Sequence, residues 1–206
     1  MKLLRPKFLV LVLILLFAGG YLFLSAPYYF VSLVKYKSIS GSGLVYSIKG
    51  RGDIDQEASF LDPASTEFGL IITKLGLNEK VVEEVEFYDP VKLKAGLRRG
   101  LAHVKSSALP GDFGAVLIVG HPLNSFFNTD RLHPDFYLVN KLAVGDEIVI
   151  YYHDRGYVYQ VAKKSFAPPT YLDFFDPGEE KKLVLVSGYP PGMAVRLLVI
   201  EAEPVN

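Results

Sequence analysis

Residues 183–192 read Leu-Val-Leu-Val-Ser-Gly-Tyr-Pro-Pro-Gly, and residues 196–202 continue as Arg-Leu-Leu-Val-Ile-Glu-Ala. Both runs are rich in aliphatic residues and have the length of a strand. The prolines and glycines between them favour a loop. The stretch therefore predicts two neighbouring strands, and the strand ends beside the loop are a candidate functional site. An ordinary structural hairpin would have the same pattern.

The chain from residue 67 onward repeats this pattern of short apolar runs separated by Gly, Pro, Asn or Asp, without sustained helical periodicity. Turn signals lie at residues 144–146 and 154–156, and residues 137–142 favour a helical turn. We therefore expect an all-β domain over residues 67–206, a closed barrel or a sandwich of seven or eight strands. The runs that predict strands are Phe68–Thr73, Val81–Val85, Ala115–Val119, Glu147–Tyr152, Tyr157–Phe166, Leu183–Val186 and Arg196–Ala202.

The N-terminus has the pattern of a membrane anchor. Residues 8–24 contain no charged side chain, and Lys2, Arg5 and Lys7 precede them. At a rise of about 1.5 Å per residue, such a helix approaches the roughly 30 Å hydrocarbon core of a bilayer. Positive charges before the span favour a cytoplasmic N-terminus, which leaves the C-terminal bulk outside.

The chain is therefore predicted to be a single-pass protein of the cell membrane with an extracytoplasmic C-terminal domain. A cleaved signal peptide is the alternative. The predicted divisions are a cytoplasmic N-terminus (1–7), a transmembrane signal-anchor helix (8–26), a linker rich in Ser and Gly (27–66) and the β domain (67–206).

Composition excludes several classes of function. Lys plus Arg and Asp plus Glu both number 22, so the net charge is zero and no basic stripe predicts nucleic-acid binding. The 206 residues include no cysteine, which rules out disulfides, thiolate metal sites and a cysteine nucleophile within this chain. The four histidines have no metal-ligand spacing, so neither a metal nor a cofactor is predicted.

His121 is the first candidate for chemistry in the domain. It follows the predicted strand Ala115–Val119 and Gly120, and a proline comes after it. A histidine at a strand end, beside a glycine that permits close backbone approach, suits the rim of a pocket. A structural histidine would have the same local pattern.

Five motifs over residues 68–203 resemble the catalytic domain of bacterial sortases, particularly class D and E forms with Thr-Cys-Trp/Tyr-Pro-Pro-Gly. The first is Phe-Gly-Leu-Ile-Ile-Thr-Lys-Leu-Gly-Leu at 68–77, which resembles an opening Ile-Pro-Lys-Leu-Gly strand with threonine in place of proline. The others, in the family's order, are Gly-Leu-Ala-His at 100–103 with Leu-Pro-Gly at 109–111, Gly-His at 120–121, Leu-Ala-Val-Gly-Asp-Glu-Ile at 142–148 and Ser-Gly-Tyr-Pro-Pro-Gly at 187–192.

The resemblance implies a sortase-type β-barrel and assigns roles to particular positions. In sortases a cysteine thiolate attacks a sorting signal such as Leu-Pro-x-Thr-Gly, a histidine transfers protons and an arginine stabilises the oxyanion. Here the resemblance places the histidine at His121 and the cysteine at Gly188, which has no side chain. The arginine falls on Arg196 if the preceding loop is one residue shorter than usual, and on Leu197 in an ungapped overlay.

Three functions follow from the missing cysteine. The leading hypothesis is a catalytically degenerate sortase that binds or scaffolds a sorting-signal peptide or pilin. The alternative is an active transpeptidase or hydrolase in which Ser187, activated by His121, replaces the cysteine. Because alternate residues of a strand point to opposite faces, Ser187 would need a bulge to reach the position of Gly188. A surface domain with no peptide ligand is the third.

Overall fold

The computed structural model of the protein describes residues 7, 10, 12, 14–20, 62–120, 134–168, 180–190 and 195–205. Among these, residues 14–20 are helical and exposed. No helix in the described part of the chain has both the length and the apolar character that crossing a membrane requires. Much of the predicted anchor over 8–26 and all of the linker except its last residues lie outside the described ranges, so both stay predictions.

Eight strands form a closed barrel, which confirms the all-β barrel expected from the sequence. The order around the barrel is β1-β2-β3-β4-β7-β8-β6-β5, with β5 returning to β1. The pairs β2–β3 and β4–β7 are parallel, and the other six are antiparallel. The strands are β1 (Phe68–Ile72), β2 (Leu77–Val85), β3 (Leu101–Val104), β4 (Ala115–Val119), β5 (Glu147–Tyr152), β6 (Arg155–Ala167), β7 (Lys182–Tyr189) and β8 (Arg196–Pro204).

Within the described ranges, three helices connect the strands. A 3₁₀ helix spans Thr73–Leu75, helix α1 spans Pro90–Leu97, and a second 3₁₀ helix spans Pro134–Lys141. Helix α1 was not predicted from the sequence. Its N-terminus has a clear cap, because the Asp89 carboxylate accepts hydrogen bonds from the backbone N–H groups of Val91 and Lys92.

Alternation along the strands divides the apolar residues into two clusters. One cluster draws on all eight strands and on the second 3₁₀ helix, and it therefore fills the barrel interior. The other joins outward-facing residues of β2, β3, β4, β7 and β8 to α1, and it forms an outer cluster. A residue of β7 or β8 therefore lies on the inner face if it belongs to the interior cluster, and on the outer face if it belongs to the outer cluster.

Candidate active site

The register of β7 and β8 decides which predicted site residues share a face. Ser187 pairs with Leu198, Gly188 with Leu197, and Tyr189 with Arg196. Leu198 belongs to the interior cluster and Leu197 to the outer cluster. Since directly paired residues point to the same face of a sheet, Gly188 lies on the outer face and Ser187 on the inner one.

The outer face is apolar around Gly188. Leu197, directly opposite, is fully buried, and its described neighbours in the outer cluster include Val119, Val186 and Val199. Gly188 is itself buried and lies within the regular strand β7. Among the described residues of this cluster, no side chain is a nucleophile or a cation.

Ser187 points into the barrel. Its side chain is 1% exposed, and its Oγ has no hydrogen-bond partner among the described residues. The Ser187 hydroxyl and Gly188 therefore lie on opposite faces of β7. No bulge is present between β7 and β8 to exchange the two faces.

Arg196 stands at the start of β8 and is exposed. Its guanidinium carbon lies 4.6 Å from the centroid of the Phe166 ring and 5.5 Å from that of Tyr189. Phe166 pairs with Leu198 on the inner face, so these rings and the guanidinium gather at the inner side of the barrel end. Sequence analysis did not find the two aromatic partners, because only the β6–β8 pairing brings residue 166 near residue 196.

His121 lies outside the described residues. The last described residue before it is Gly120, whose backbone N–H donates to the Val186 carbonyl at 3.3 Å. Val119 pairs with Val186 in the parallel β4–β7 ladder, so β4 ends at the same end of the barrel as β7. A Cβ on Gly120 would meet the Phe136 ring at 2.2 Å, which explains why glycine precedes His121.

His103 is a second histidine of the resemblance motifs, and it is buried in the barrel wall. Its Nε2 lies 3.0 Å from both the Ala108 carbonyl and the Ser107 hydroxyl. The Glu84 backbone N–H donates to its Nδ1 over 3.5 Å. Burial lowers the pKa of His103, although the Ala108 carbonyl and nearby glutamates oppose this shift. These contacts fit a structural histidine that braces the turn after β3.

Within the described ranges, no three His, Asp or Glu side chains lie together as metal ligands. Lysines engage several of the described carboxylates: Asp146 pairs with Lys74 at 2.6 Å, and Glu86 pairs with both Lys92 and Lys105. The described residues thus offer no obvious position for a metal ion at this end of the barrel.

Comparison with known proteins places these observations in a family. The family model of the sortase domain matches residues 70–205. The Clostridium perfringens sortase D5 transpeptidase has a TM-score of 0.55 at 22% identity, with 68% of this chain and 79% of that chain covered. Sortase C-1 of Actinomyces oris has a TM-score of 0.55 at 19% identity, with 68% of this chain and 73% of that chain covered.

A third solved structure, Clostridium perfringens sortase C with its C-terminal cell wall sorting motif, has a TM-score of 0.56 at 14% identity, covering 84% of this chain and 83% of that chain. Identities this low establish the fold alone. No curated protein matches the chain in sequence.

Proposed function

The chain belongs to the sortase family, and on that premise we propose that it is a membrane-anchored, non-catalytic member that binds a sorting-signal peptide or a pilin. The proposed binding surface is the outer face of β4, β7 and β8 at the end that carries Gly188. Members of this family act on sorting signals, and Clostridium perfringens sortase C has been solved with such a motif.

The pairing of Gly188 with Leu197 is the observation that carries the proposal. A sortase needs a thiolate and a guanidinium that reach the same carbonyl, so both must lie on one face. On the outer face, the position that the resemblance gives to cysteine carries only hydrogen, and the residue opposite it is an apolar leucine. This register supports the ungapped overlay, in which Leu197 replaces the arginine.

Arg196 is a poor substitute for that arginine. It pairs with Tyr189 and stacks on rings at the inner side of the barrel end. At this site the family's cysteine and its arginine are both replaced. Two such replacements support a loss of catalysis more strongly than one would. The absence of any cysteine among the 206 residues excludes a sulfur nucleophile supplied by another segment of this chain.

The alternative enzyme, with Ser187 as the nucleophile and His121 as its base, has less support. The Ser187 hydroxyl is buried on the inner face of β7. To attack a peptide at the outer face, β7 would have to turn so that its inner and outer faces exchange. Labelling of Ser187 by a serine-trapping acyl or phosphonyl reagent in the native protein would reinstate this alternative.

Binding at the outer face also has a kinetic consequence. Gly188 and Leu197 are buried in the free chain. A peptide can contact these two residues only after the residues that bury them move away. The rate constant for association is therefore expected to be lower than for a preformed groove.

Cleavage assays on a fluorogenic Leu-Pro-x-Thr-Gly peptide test the proposal. The wild-type chain is expected to bind this peptide and not to cleave it. Gly188→Cys restores a thiol, but loss of an oxyanion-stabilising donor costs about 10²–10³-fold in rate, so Gly188→Cys with Leu197→Arg should be about 100-fold more active than Gly188→Cys alone. Adding His121→Ala to the double variant should abolish turnover.

Ser187→Cys is the matched control, because it adds the same thiol one residue away on the inner face. We expect no cleavage from it, with or without Leu197→Arg. Cleavage by the wild-type chain would contradict the non-catalytic assignment, and absence of peptide binding would contradict the binding role. Turnover by Gly188→Cys alone at the rate of the double variant would place the working arginine at Arg196.

We further propose that residues 8–26 anchor the protein in the cell membrane with the barrel outside. The uncharged run over residues 8–24 and the basic residues before it support this arrangement.

A further inference from the structure

The guanidinium of Arg196 stacks on two aromatic rings and, within the part of the chain that the structure describes, has no anionic partner. The Phe166 and Tyr189 rings that flank it are 5.0 Å apart and inclined by 55°. The guanidinium carbon forms a triangle with the two ring centroids, so the cation stacks on one side of the ring pair while Arg196 remains exposed to solvent. Among the described residues, no carboxylate or carbonyl accepts a hydrogen bond from it.

The surface beside Arg196 is apolar. Phe166 is 45% exposed and Val195 is 62% exposed, although both are large hydrophobic residues. A charge next to apolar surface is less screened by water, so it attracts an opposite charge more strongly than an isolated surface arginine does. The two rings also reduce the conformational entropy that the arginine loses on binding.

Lys164 is a second cation on β6 that has no anionic partner among the described residues. Lys164 precedes Phe166 by two residues, and its ammonium donates hydrogen bonds to the carbonyls of Asn140 and Leu142, which leave its charge uncompensated. Desolvation lowers the pKa of Lys164, and the neighbouring charges of Lys141 and Lys74 lower it further. By contrast, Lys163 on the same strand forms a 3.0 Å ion pair with Glu201.

We propose that Arg196, stacked against the Phe166–Tyr189 ring pair, is a carboxylate-binding site for an acidic partner peptide. The planar guanidinium presents paired N–H donors that match the two oxygens of a carboxylate. The ligand carboxylate is either an Asp or Glu side chain or a peptide C-terminus. This site is on the inner side of the barrel end, on the opposite face of β8 from Leu197, and it is therefore separate from the proposed outer-face surface.

Nuclear magnetic resonance of the full chain with ¹⁵N-labelled arginine tests the site directly. The probes are N-acetyl-Gly-Glu-Gly-amide and its Gln counterpart, with N-acetyl-triglycine as free acid and as amide to separate a side-chain carboxylate from a C-terminal one. The Nε–Hε signal of Arg196 should shift saturably with an acidic probe, and the uncharged counterpart should bind about tenfold more weakly.

Arg155 provides an internal control, since its guanidinium carbon also lies over one ring, at 5.1 Å from the centroid of Tyr157. Its signal should not saturate with the acidic probes. Arg196→Gln should remove the preference for the acidic probe, and Phe166→Leu should weaken it while retaining the charge. Arg155→Gln should leave it unchanged.

Equal binding of acidic and uncharged probes, equal shifts at Arg155 and Arg196, or no shift at Arg196 would each overturn the proposal. The result is independent of the outer-face function. Sorting-peptide binding with no acidic preference at Arg196 would reject this site alone. Saturable shifts with the short acidic probes would support it even if the sorting peptide does not bind.

Discussion

At the scale of single residues, the contacts of His103 define its protonation state. The Glu84 N–H can only donate, so Nδ1 accepts, and the Ala108 carbonyl can only accept, so Nε2 carries the proton. The ring is therefore neutral, and its second neighbour Ser107 uses its hydroxyl proton on the Val104 carbonyl at 2.7 Å. A second proton on Nδ1 would point at the Glu84 N–H, which is itself a donor and cannot accept a hydrogen bond.

This environment predicts a dependence of stability on pH. Because burial lowers the pKa of folded His103 below its ordinary value near 6.5, the unfolded chain takes up this proton first as pH falls. The stabilising contribution is complete above about pH 6.5 and declines below it. Thermal unfolding of the wild-type chain between pH 8 and 5 should therefore show a loss of Tm that His103→Gln reduces.

The exposed His153 serves as the control for this measurement. Its Nδ1 lies 2.8 Å from a Glu67 carboxylate oxygen, and because both side chains are exposed, water screens this contact and it contributes little to stability. His153→Gln should retain the wild-type slope of Tm against pH. The assignment fails if His103→Gln and the wild-type chain lose Tm in parallel.

Gly120 is predicted to tolerate no side chain. Its Cβ would lie 2.2 Å from the Phe136 ring, which is fully buried, so the ring cannot move into solvent. Gly120→Ala should lower the free energy of unfolding by about 1–3 kcal/mol, as overpacking of a core does. Denaturant unfolding measures this loss, and Phe136→Leu in the same chain should recover part of it.

Gly156→Ala is the comparison, because its Cβ would meet the Tyr151 ring at an ordinary 3.8 Å. This change should have little effect on stability. Equal losses from the two substitutions would mean that the contact with Phe136 is not the cause.

The residues of the candidate site show the limit of sequence reasoning at this scale. Alternation along a strand separates Ser187 from Gly188 without a structure. It cannot decide between Arg196 and Leu197, because one residue more or less in the preceding loop exchanges them. The β7–β8 register sets Leu197 opposite Gly188 and Arg196 opposite Tyr189, which no local sequence pattern specifies.

At the scale of elements, most strands follow from the sequence, and two elements do not. β3 spans only Leu101–Val104, and its four residues are all buried, so it has neither the length nor the alternation of a typical strand. Helix α1 contains Gly96, whose missing side chain lets Val85 pack closely against the helix. The Asp89 cap followed by Pro90 was its only strong signal in the sequence.

The β5–β6 turn also differs from the sequence prediction. It was expected at residues 154–156 because of Gly156, but Tyr152 pairs with Arg155, so the turn residues are His153 and Asp154. Both adopt positive φ, 47° and 61°, as a two-residue type I′ turn requires. Gly156 lies in β6, where it pairs with Tyr151.

We predict that this turn can be improved. Asp154→Gly removes the cost of a left-handed backbone at a residue with a side chain, and it should raise the free energy of unfolding by about 0.5–1 kcal/mol. Gly145→Ala is the reverse test, since Gly145 has φ of 94° and no atom within 4 Å of its Cβ position. It should destabilise by about 1 kcal/mol through the backbone alone. Denaturant titrations that move the two variants in the same direction would contradict this account.

At the scale of the whole molecule, the all-β class and the approximate strand number follow from the sequence, but the strand order does not. In the parallel pair β2–β3 the two strands are connected through helix α1, and in the parallel pair β4–β7 they are separated in sequence by β5 and β6. No local pattern specifies such pairs, whereas the β5–β6 hairpin is specified by its own turn. The motifs shared with sortases predicted a barrel. The pattern of apolar runs and turns alone was also consistent with a β-sandwich.

Barrel closure makes the segment before β1 part of the fold. The Asn78 side chain accepts from the Ala64 N–H at 2.7 Å and donates to the Asp62 carbonyl at 2.8 Å. The carbonyls of Thr66 and Glu67 accept from the backbone of the β5–β6 turn, both at 3.0 Å. Residues 62–66, which composition places in the linker, thus hydrogen-bond to the barrel across the predicted boundary at residue 67.

Truncation tests both this boundary and the proposed anchor. A chain of residues 62–206 keeps these four hydrogen bonds and should unfold in one transition at the Tm of the full chain. A chain of residues 68–206 loses them, and at about 0.5–1.5 kcal/mol each it should be less stable by about 2–6 kcal/mol. In cell fractionation the full chain should remain with the membrane after alkaline extraction, whereas 62–206 should be released, because only the former contains the apolar run over residues 8–24. Equal stability of the two truncated chains would reject the structural role of residues 62–67, and release of the full chain would reject the anchor.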